Sequence, residues 1–199
     1  MGGWWIVSTS DAISSPHQPA TRRLVLVAGQ EGAGKTTVIR ALLPHTPDGA
    51  RVDGEDLGQV NPCHYDEAFW HLLRVNVAAL VRNYWAAGYA NVITGSFFRT
   101  RDDYLRFRDL VPEVDEVYMV QLLVERDERQ HRRLSRAKQT TQEWRDRVDL
   151  VDTGDTTIAA DQDGYRYLGV DSTGMTPEQT VAVIRRAIPE IYGPPPSEL

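Results

Sequence analysis

The pattern Gly-x-x-x-x-Gly-Lys-Thr at residues 29–36 constrains the fold of this chain more than any other feature of the sequence. It directly follows a continuous apolar run at residues 24–28, which is typical of a strand buried on both faces. A helical pattern then begins near Gly34 and ends before Pro44, because proline disfavours helical backbone at the preceding residue. The sequence therefore predicts a strand, a tight turn and a helix in direct succession.

The residue types in this turn suit a bound polyphosphate. Glycines let the backbone wrap closely around phosphates, and the N–H groups at the start of a helix face negative charge. In such a turn the lysine reaches the β- and γ-phosphates, where it also acts in catalysis, and the threonine binds Mg²⁺. Lysine occurs in this chain only at Lys35 and Lys138, so its presence here is informative. The predicted nucleotide-binding residues of the turn are Gly29, Gln30, Glu31, Gly32, Ala33, Gly34, Lys35, Thr36 and Thr37.

Strand and helix patterns alternate along the rest of the chain. Further strands are predicted at residues 50–52, 91–94, 117–123 and 167–170. Further helices are predicted over residues 65–87, about 101–109 and about 177–188, the last with a capping-box start at Thr176. Such alternation indicates an α/β domain with a parallel sheet covered by helices on both faces.

Length and composition indicate one folded domain and exclude several classes of protein. The 199 residues are 41% hydrophobic and 25% charged, as in a single globular domain. No apolar run reaches the ~18–20 residues of a membrane span. The net charge of −6 makes nucleic acid an improbable partner. The single cysteine, Cys63, excludes internal disulfides and fits a reducing compartment, so we predict a cytoplasmic location.

The predicted domain occupies residues 22–192. Residues 1–21 mix glycine, serine, proline and two adjacent tryptophans without periodicity, and we predict a flexible N-terminal arm. Residues 193–199 contain three consecutive prolines and should form an extended tail. The sequence leaves the oligomeric state and the role of the arm open.

The chain lacks the further motifs that are expected of two classes of nucleotide-binding protein. A GTPase is expected to carry an Asn-Lys-x-Asp sequence, and neither lysine stands in one. A motor-type ATPase would place an acid at the end of the third strand, where residues 93–96 read Ile-Thr-Gly-Ser. A phosphoryl-transfer enzyme with a separate acceptor is therefore favoured.

Acidic residues follow the second predicted strand. Asp53 and Glu55 stand where a strand beside the phosphate-binding strand ends, and an acid there can accept a proton from a hydroxyl or support a metal. We predict that Asp53 acts as the catalytic base or as a magnesium ligand and that Glu55 takes the other of these two roles. The two residues can also exchange roles. Both are also predicted to contact the acceptor. The alternative is a solvated acidic turn, since Asp-Gly pairs favour turns.

Arginines follow the third and fourth strands. Arg99 and Arg101 stand where the ligand crevice of an α/β sheet opens, and we predict that they bind an anionic or polyhydroxylated acceptor. The alternative places them on an exposed helix start. Farther along, helical spacing brings four arginines to one face: Arg129, Arg132, Arg133 and Arg136.

We predict that Arg133 and Arg136 stabilise the transferred phosphoryl group, that Arg133 also binds the nucleotide, and that residues 136–146 form a lid. A solvated helix balanced by neighbouring acids is the alternative. The loop after the fifth strand, with Asp171 and Ser172, is predicted to border the nucleotide base, or else is a plain turn.

Taken together, these residues resemble the nucleoside-monophosphate-kinase-like group of small P-loop kinases, which includes shikimate kinase, gluconate kinase and chloramphenicol phosphotransferase. The resemblance covers about residues 22–190 and rests on four segments: residues 29–36, the acids Asp53 and Glu55, the pair Arg133 and Arg136, and residues 170–184. It implies a three-layer αβα P-loop NTPase fold with a five-stranded parallel sheet of order 2-3-1-4-5 and a small lid. It also implies ATP with Mg²⁺ as phosphoryl donor and a small hydroxyl-bearing acceptor.

A narrower likeness is to zeta-toxin-type kinases, whose acceptor is a UDP-linked amino sugar. It rests on residues 52–56, on Asn61-Pro62 before the long helix, and on residues 94–96 with Arg99. We therefore predict an ATP-dependent kinase of a small hydroxyl compound, a metabolite or an antibiotic. The alternatives are a zeta-toxin-like kinase, a regulatory module that only binds ATP, and a polynucleotide-end kinase.

Overall fold

The computed structural model describes residues 21–135, 142, 148, 156–160 and 164–194. The predicted arm up to residue 20, the predicted lid apart from Gln142, and residues 195–199 lie outside these ranges. Arg136, one of the two arginines predicted to stabilise the transferred group, also lies outside the described residues.

Five strands form one parallel sheet in the order β2-β3-β1-β4-β5. The strands are β1 (Arg23–Gly29), β2 (Gly49–Asp53), β3 (Asn91–Gly95), β4 (Glu116–Leu123) and β5 (Arg166–Asp171). This order, with helices on both faces, confirms the P-loop αβα fold that the sequence resemblance implies. The central position of β1 explains its continuous apolar run, because it has a strand on each side and helices above and below.

Several helices begin after a residue whose side chain accepts an N–H of the first helical turn. The described helices are α1 (Lys35–Leu42), α2 (Gly54–Leu57), α3 (Glu67–Ala86), α4 (Arg101–Arg108), α5 (Arg126–Ser135), α6 (Thr157–Ala160), α7 (Pro177–Ala187) and α8 (Pro189–Tyr192), with a 3₁₀ turn at Leu43–His45. Thr176 and Gln179 form the capping box predicted for the last long helix. Helix α3 begins two residues later than predicted because Asp66 caps it by accepting the N–H of Phe69.

Alternating side chains divide the core between the two faces of the sheet. Leu24 and Leu26 of β1 pack with residues of α3 and α4, whereas Val25 and Val27 pack with residues of α1 and α7. All four side chains are fully buried. Within the residues that the structure describes, none of the helices has the length and hydropathy needed to span a bilayer.

Helix α2 was not expected from the sequence, which indicated only a second strand followed by acidic residues. It begins directly after Asp53, whose Oδ1 accepts the backbone N–H of Glu55 at 3.1 Å. A carboxylate that caps a helix in this way satisfies an N–H group that would otherwise lack a partner. The acidic segment is therefore a helix start at the carboxyl end of β2.

Candidate active site

The glycine-rich turn between β1 and α1 has a backbone that only glycine adopts easily. Gly29, Gly32 and Gly34 have φ angles of +139°, +88° and +97°. A Cβ atom at Gly32 would lie 2.7 Å from the carbonyl oxygen of Arg129. A Cβ at Gly34 would meet only Arg132, at 3.9 Å, so the space beside the start of α1 is open. The turn is thus packed against α5 on one side and open at the start of α1.

Helix α1 presents its N-terminus to this turn. Gly34 occupies the cap position, where no side chain accepts an N–H of the first helical turn. Lys35 folds back over the turn, and its Nζ donates to the carbonyl oxygens of Gly29 at 2.8 Å and Gln30 at 3.1 Å. The helix N-terminus and the ammonium group both carry positive charge, so the turn offers a site for phosphate oxygens.

Asp53 combines deep burial with an oxygen that lacks a hydrogen-bond partner. Only 3% of its surface is exposed, and Oδ2 has no partner among the described residues. In the sheet, Asp53 pairs with Gly95, which pairs with Val27 of β1, so alternation places the Asp53 side chain on the face that α1 covers. A buried carboxylate oxygen without a partner is costly in a folded protein unless a ligand or ion satisfies it.

The donors near the start of α1 suit a magnesium ion. The hydroxyl of Thr36 donates to Oε2 of Glu55 at 3.4 Å, and Asp53 lies two residues before Glu55. Mg²⁺ binds oxygen ligands, usually through one or two carboxylates together with water and substrate phosphates. The described residues contain no cluster of three or more potential metal-binding side chains. A threonine hydroxyl with two nearby acids fits an ion that takes its remaining ligands from the nucleotide and water.

Two of the arginines of α5 are buried rather than solvated. Arg129 and Arg133 are 5% and 4% exposed, and Arg129 donates to the carbonyl oxygen of Val124. The stem of Arg133 packs against the glycine-rich turn, since a Cβ atom at Gly32 would lie 3.2 Å from its Cγ. Burial of these two side chains removes the sequence-based alternative that this helix is merely a solvated charged surface.

Arg132, which the sequence did not single out from its neighbours, links two loops. Its guanidinium donates to the carbonyl oxygens of Ala33 at 3.3 Å and Ser172 at 3.0 Å, and it pairs with Glu128 at 2.7 Å. Its helical spacing was visible in the sequence, but the two carbonyl partners depend on tertiary packing. Arg132 thus ties the glycine-rich turn to the loop after β5.

The loop after β5 is fixed by local hydrogen bonds. Asp171 Oδ1 accepts the N–H of Thr173 at 3.0 Å. Hydrogen bonds from the backbone and from the side chain of Thr173 hold the pKa of Asp171 below its ordinary value. The Thr173 hydroxyl in turn accepts the N–H of Glu125 at 3.1 Å. Ser172 is 3% exposed, whereas Asp171 is exposed. The loop that is predicted to border the nucleotide base therefore lies beside the glycine-rich turn and is joined to it through Arg132.

The residues after β3 stand at the carboxyl edge of the sheet, beside the acids after β2, and we call this part of the edge the cleft. Arg99 is exposed, with its Cζ 4.9 Å from the centre of the Trp70 ring, and Arg101 is the first residue of α4. Phe97 and Phe98 are buried in the core, as expected for packing residues. Thr94 is fully buried. Because β2 and β3 are paired to their last residues, Asp53 and Gly95, the acids and the two arginines emerge at the same edge of the sheet.

No protein-family model and no curated protein sequence match this chain. Solved structures with a similar fold include several small kinases. A sugar kinase from Janibacter sp. HTCC2649 is 15% identical, with a TM-score of 0.62 over 87% of this chain and 96% of that one. A gluconokinase from Sinorhizobium meliloti 1021 is 14% identical, with a TM-score of 0.56 over 83% of this chain and 89% of that one. A shikimate kinase from Acinetobacter baumannii, solved with shikimate, is 17% identical, with a TM-score of 0.55 over 86% of this chain and 94% of that one. The chain shares the fold of these small P-loop kinases.

Proposed function

We propose that this protein is an ATP-dependent phosphotransferase that moves the γ-phosphoryl group of ATP to a hydroxyl of a small molecule. The observation that carries the proposal is Asp53, a buried carboxylate on the sheet face that α1 covers, whose Oδ2 has no hydrogen-bond partner in the described part of the chain. A nucleotide-binding module has no need of such a group. An enzyme that deprotonates a hydroxyl beside the γ-phosphate needs one.

The donor would bind along the glycine-rich turn. The N–H groups at the start of α1 and the Lys35 ammonium would bind its phosphates, and Arg133, whose stem packs on Gly32, would offset charge on the transferred group together with Arg136. Thr36, Asp53 and Glu55 would hold Mg²⁺, which supplies positive charge against the phosphate oxygens. The loop with Asp171 and Ser172 would border the base.

Asp53 or Glu55 would prepare the acceptor. The carboxylate accepts the proton of the acceptor hydroxyl, a bond forms between that oxygen and the γ-phosphorus, and the bond from the γ-phosphorus to the β-phosphate oxygen breaks to release ADP. Asp53 is the stronger candidate because its Oδ2 has no hydrogen-bond partner among the described residues, whereas Glu55 already accepts from Thr36. Arg99 and Arg101 would contact the rest of the acceptor.

The solved neighbours support a small acceptor, since they include a sugar kinase, a gluconokinase and a shikimate kinase. The net charge of −6 argues against a polynucleotide acceptor. Thr94, part of the narrower likeness to zeta-toxin-type kinases, is fully buried and has no exposed surface for a substrate contact. This burial favours a simpler acceptor than a UDP-linked amino sugar.

The proposal is tested by measuring ADP release from Mg·ATP across a panel of hydroxyl compounds, with Lys35→Ala as the blank. We expect at least one compound to stimulate ADP release in the wild type and none to do so in the blank. Calorimetry with Mg·ATP should show binding in wild type and in Asp53→Asn. If wild type, Asp53→Asn and Glu55→Gln bind ATP but turn over every compound equally poorly, the protein is a nucleotide-binding module.

A further inference from the structure

Arg99 differs from three nearby arginines in having no acidic partner in the described part of the chain. Arg74, Arg106 and Arg132 each form an ion pair with a carboxylate. Among the residues that the structure describes, Arg99 has neither a salt bridge nor a side-chain hydrogen bond, and its guanidinium lies over the Trp70 ring. Its guanidinium is therefore a charged, exposed group without a counter-ion in this part of the chain.

Trp70 holds this guanidinium by its flat face. The Arg99 Cζ lies 4.9 Å from the centre of the ring, within the range of a cation–π contact. A guanidinium stacked on an aromatic ring keeps the N–H groups along its edges available, and those edges match the oxygens of a carboxylate or a phosphate. The Trp70 ring is itself supported, because Phe69 packs against it edge to face at 5.1 Å.

The backbone of Arg99 is fixed to the same helix as Trp70. The N–H of Arg99 donates to Oδ2 of Asp103 at 3.1 Å, and Oδ1 of Asp103 accepts from Arg74 at 3.1 Å. Arg74 is 2% exposed and lies one helical turn after Trp70 on α3. Helix α3 thus holds Arg99 twice, through its backbone by way of Asp103 and through its side chain by way of Trp70.

This doubly held arginine follows β3 at the same edge of the sheet as Asp53, because β2 and β3 are paired to their last residues. Arg99 comes four residues after Gly95, the partner of Asp53 at the end of the paired strands. Helix α2 lies between its cap residues Asp53 and Gly58, and a Cβ atom at Gly58 would lie 3.3 Å from the ring of Phe69, the residue before Trp70. Two routes through the chain therefore connect Asp53 with the pair of Trp70 and Arg99, one through the end of β3 and one through α2.

We propose that Trp70 is a positioning residue that presets the Arg99 guanidinium to bind an anionic group of the acceptor. The inference rests on the proposed function and narrows its acceptor to a hydroxyl compound that also carries a carboxylate or a phosphate. A neutral acceptor would leave the Arg99 guanidinium without an anionic partner. Fixing the side chain in advance lowers the entropy lost when the anion binds.

The first test measures anion binding directly and needs no knowledge of the acceptor. The protein is saturated with Mg·ADP, so that the phosphate turn is occupied, and titrated separately with inorganic phosphate and with acetate. The arginine Nε–Hε NMR signal that is missing in Arg99→Lys reports the site. We expect a saturable shift with one or both anions, and the stronger of the two identifies the anion class.

Variants of Trp70 then separate positioning from packing. Trp70→Leu should weaken anion binding at Arg99 by about threefold to thirtyfold, the range that a cation–π contact allows. Trp70→Phe keeps an aromatic face and should retain most of the affinity. Tyr84→Leu removes an aromatic contact with Tyr89 farther along α3 and should change nothing at Arg99. No saturable shift of the Arg99 signal, or equal affinity in Trp70→Leu and wild type, would overturn the proposal.

The second test compares acceptors that share a pyranose ring and differ mainly in charge: glucose, glucuronate and glucose 6-phosphate. We expect kcat/KM for one of the charged compounds to exceed that for glucose by about tenfold or more, as a charge-assisted hydrogen bond allows. Trp70→Leu should raise KM for the charged compound with little change in kcat. Equal use of glucose and the charged compounds, unaffected by Trp70→Leu, would refute the inference and leave the kinase proposal standing. Failure of every acceptor would count against the kinase proposal alone, and the anion titration would still decide the role of Trp70.

Discussion

The hydroxyl of Thr36 and the carboxylate of Glu55 lie 3.4 Å apart, although the two residues are separated by 19 positions in the chain. Thr36 belongs to the first turn of α1, and Glu55 to the first turn of α2. The segment that suits phosphates and the segment that suits an acceptor hydroxyl are therefore in direct contact. A magnesium ion held by Thr36 and Glu55 would supply positive charge to the proposed donor site and the proposed acceptor site together.

Asp53→Asn should separate the catalytic role of this residue from its structural one. Asparagine caps helices about as well as aspartate, so the free energy of unfolding should change little. It cannot act as a base, and phosphotransfer should fall by about a hundredfold to ten-thousandfold. Coupled assays of ADP release and urea unfolding measure the two effects.

Asp53→Ala is the matched variant, because it removes both the charge and the cap. We expect the same loss of phosphotransfer together with about 1 kcal/mol less stability from the missing cap of α2. If Asp53→Asn retained wild-type turnover, Asp53 would not be the base, and Glu55→Gln would be the next variant to examine.

Gly32→Ala should destabilise the protein and abolish nucleotide binding. The φ angle of +88° disfavours a side chain, and the new Cβ would lie 2.7 Å from the Arg129 carbonyl oxygen. A destabilisation of about 1–3 kcal/mol is expected from backbone strain of this kind. Gly174→Ala is the control, since its φ is +69° and no atom lies within 4 Å of the new Cβ, so only the conformational cost remains. Thermal unfolding and calorimetry with Mg·ATP distinguish the two variants.

Arg132→Ala should loosen the connection between the phosphate turn and the loop after β5. The variant loses two hydrogen bonds from a charged donor, to Ala33 and Ser172, and we expect stability to fall by about 1–3 kcal/mol with weaker binding of Mg·ATP. Arg126→Ala on the same helix changes an exposed arginine and serves as the control. Equal ATP affinity in both variants would show that the link does not contribute to nucleotide binding.

Stability should decrease at alkaline pH because of Tyr118. Burial, with a smaller contribution from its hydrogen bond to Glu116, raises the pKa of Tyr118 from 10.0 to about 12. The folded protein therefore keeps this proton where the unfolded chain releases it, so the contribution is complete below about pH 10 and lost as the pH rises to about 12. Tyr118→Phe has no such proton, and its unfolding free energy, measured in urea across this range, should fall less steeply. Parallel pH dependence in both proteins would contradict the prediction.

The sequence predicted the sheet and the glycine-rich turn between β1 and α1 well because both depend on local patterns. The apolar run of β1, the glycine motif and the cap at Thr176 are each specified by neighbouring residues. Helix α2 was missed because four residues are too few to show helical periodicity, and its start depends on one hydrogen bond from Asp53. The acidic residues themselves were recognised from their position after β2.

Contacts between distant segments could not be read from the sequence. Helical spacing groups Arg129, Arg132 and Arg133, but it does not indicate that two of them are buried and that the third spans two loops. Trp70 and Arg99 are 29 positions apart, on a helix and a loop that only the fold brings together. Sequence spacing predicts such pairs within one helix, and tertiary packing determines the others.

Crowding where β2 and β3 end limits how this cleft can change. A Cβ at Gly95 would lie 2.5 Å from the Val27 carbonyl oxygen, and one at Gly54 would lie 2.8 Å from the Cβ of Phe97. Neither position accepts a side chain without displacing backbone or core, so the floor of the proposed acceptor site is closed to variation. Redesign for a different alcohol would have to work through residues 58–66, which are largely exposed, and through Asp102, the exposed residue in the first turn of α4. A mutant library aimed at those residues would sample new acceptors while leaving the floor unchanged.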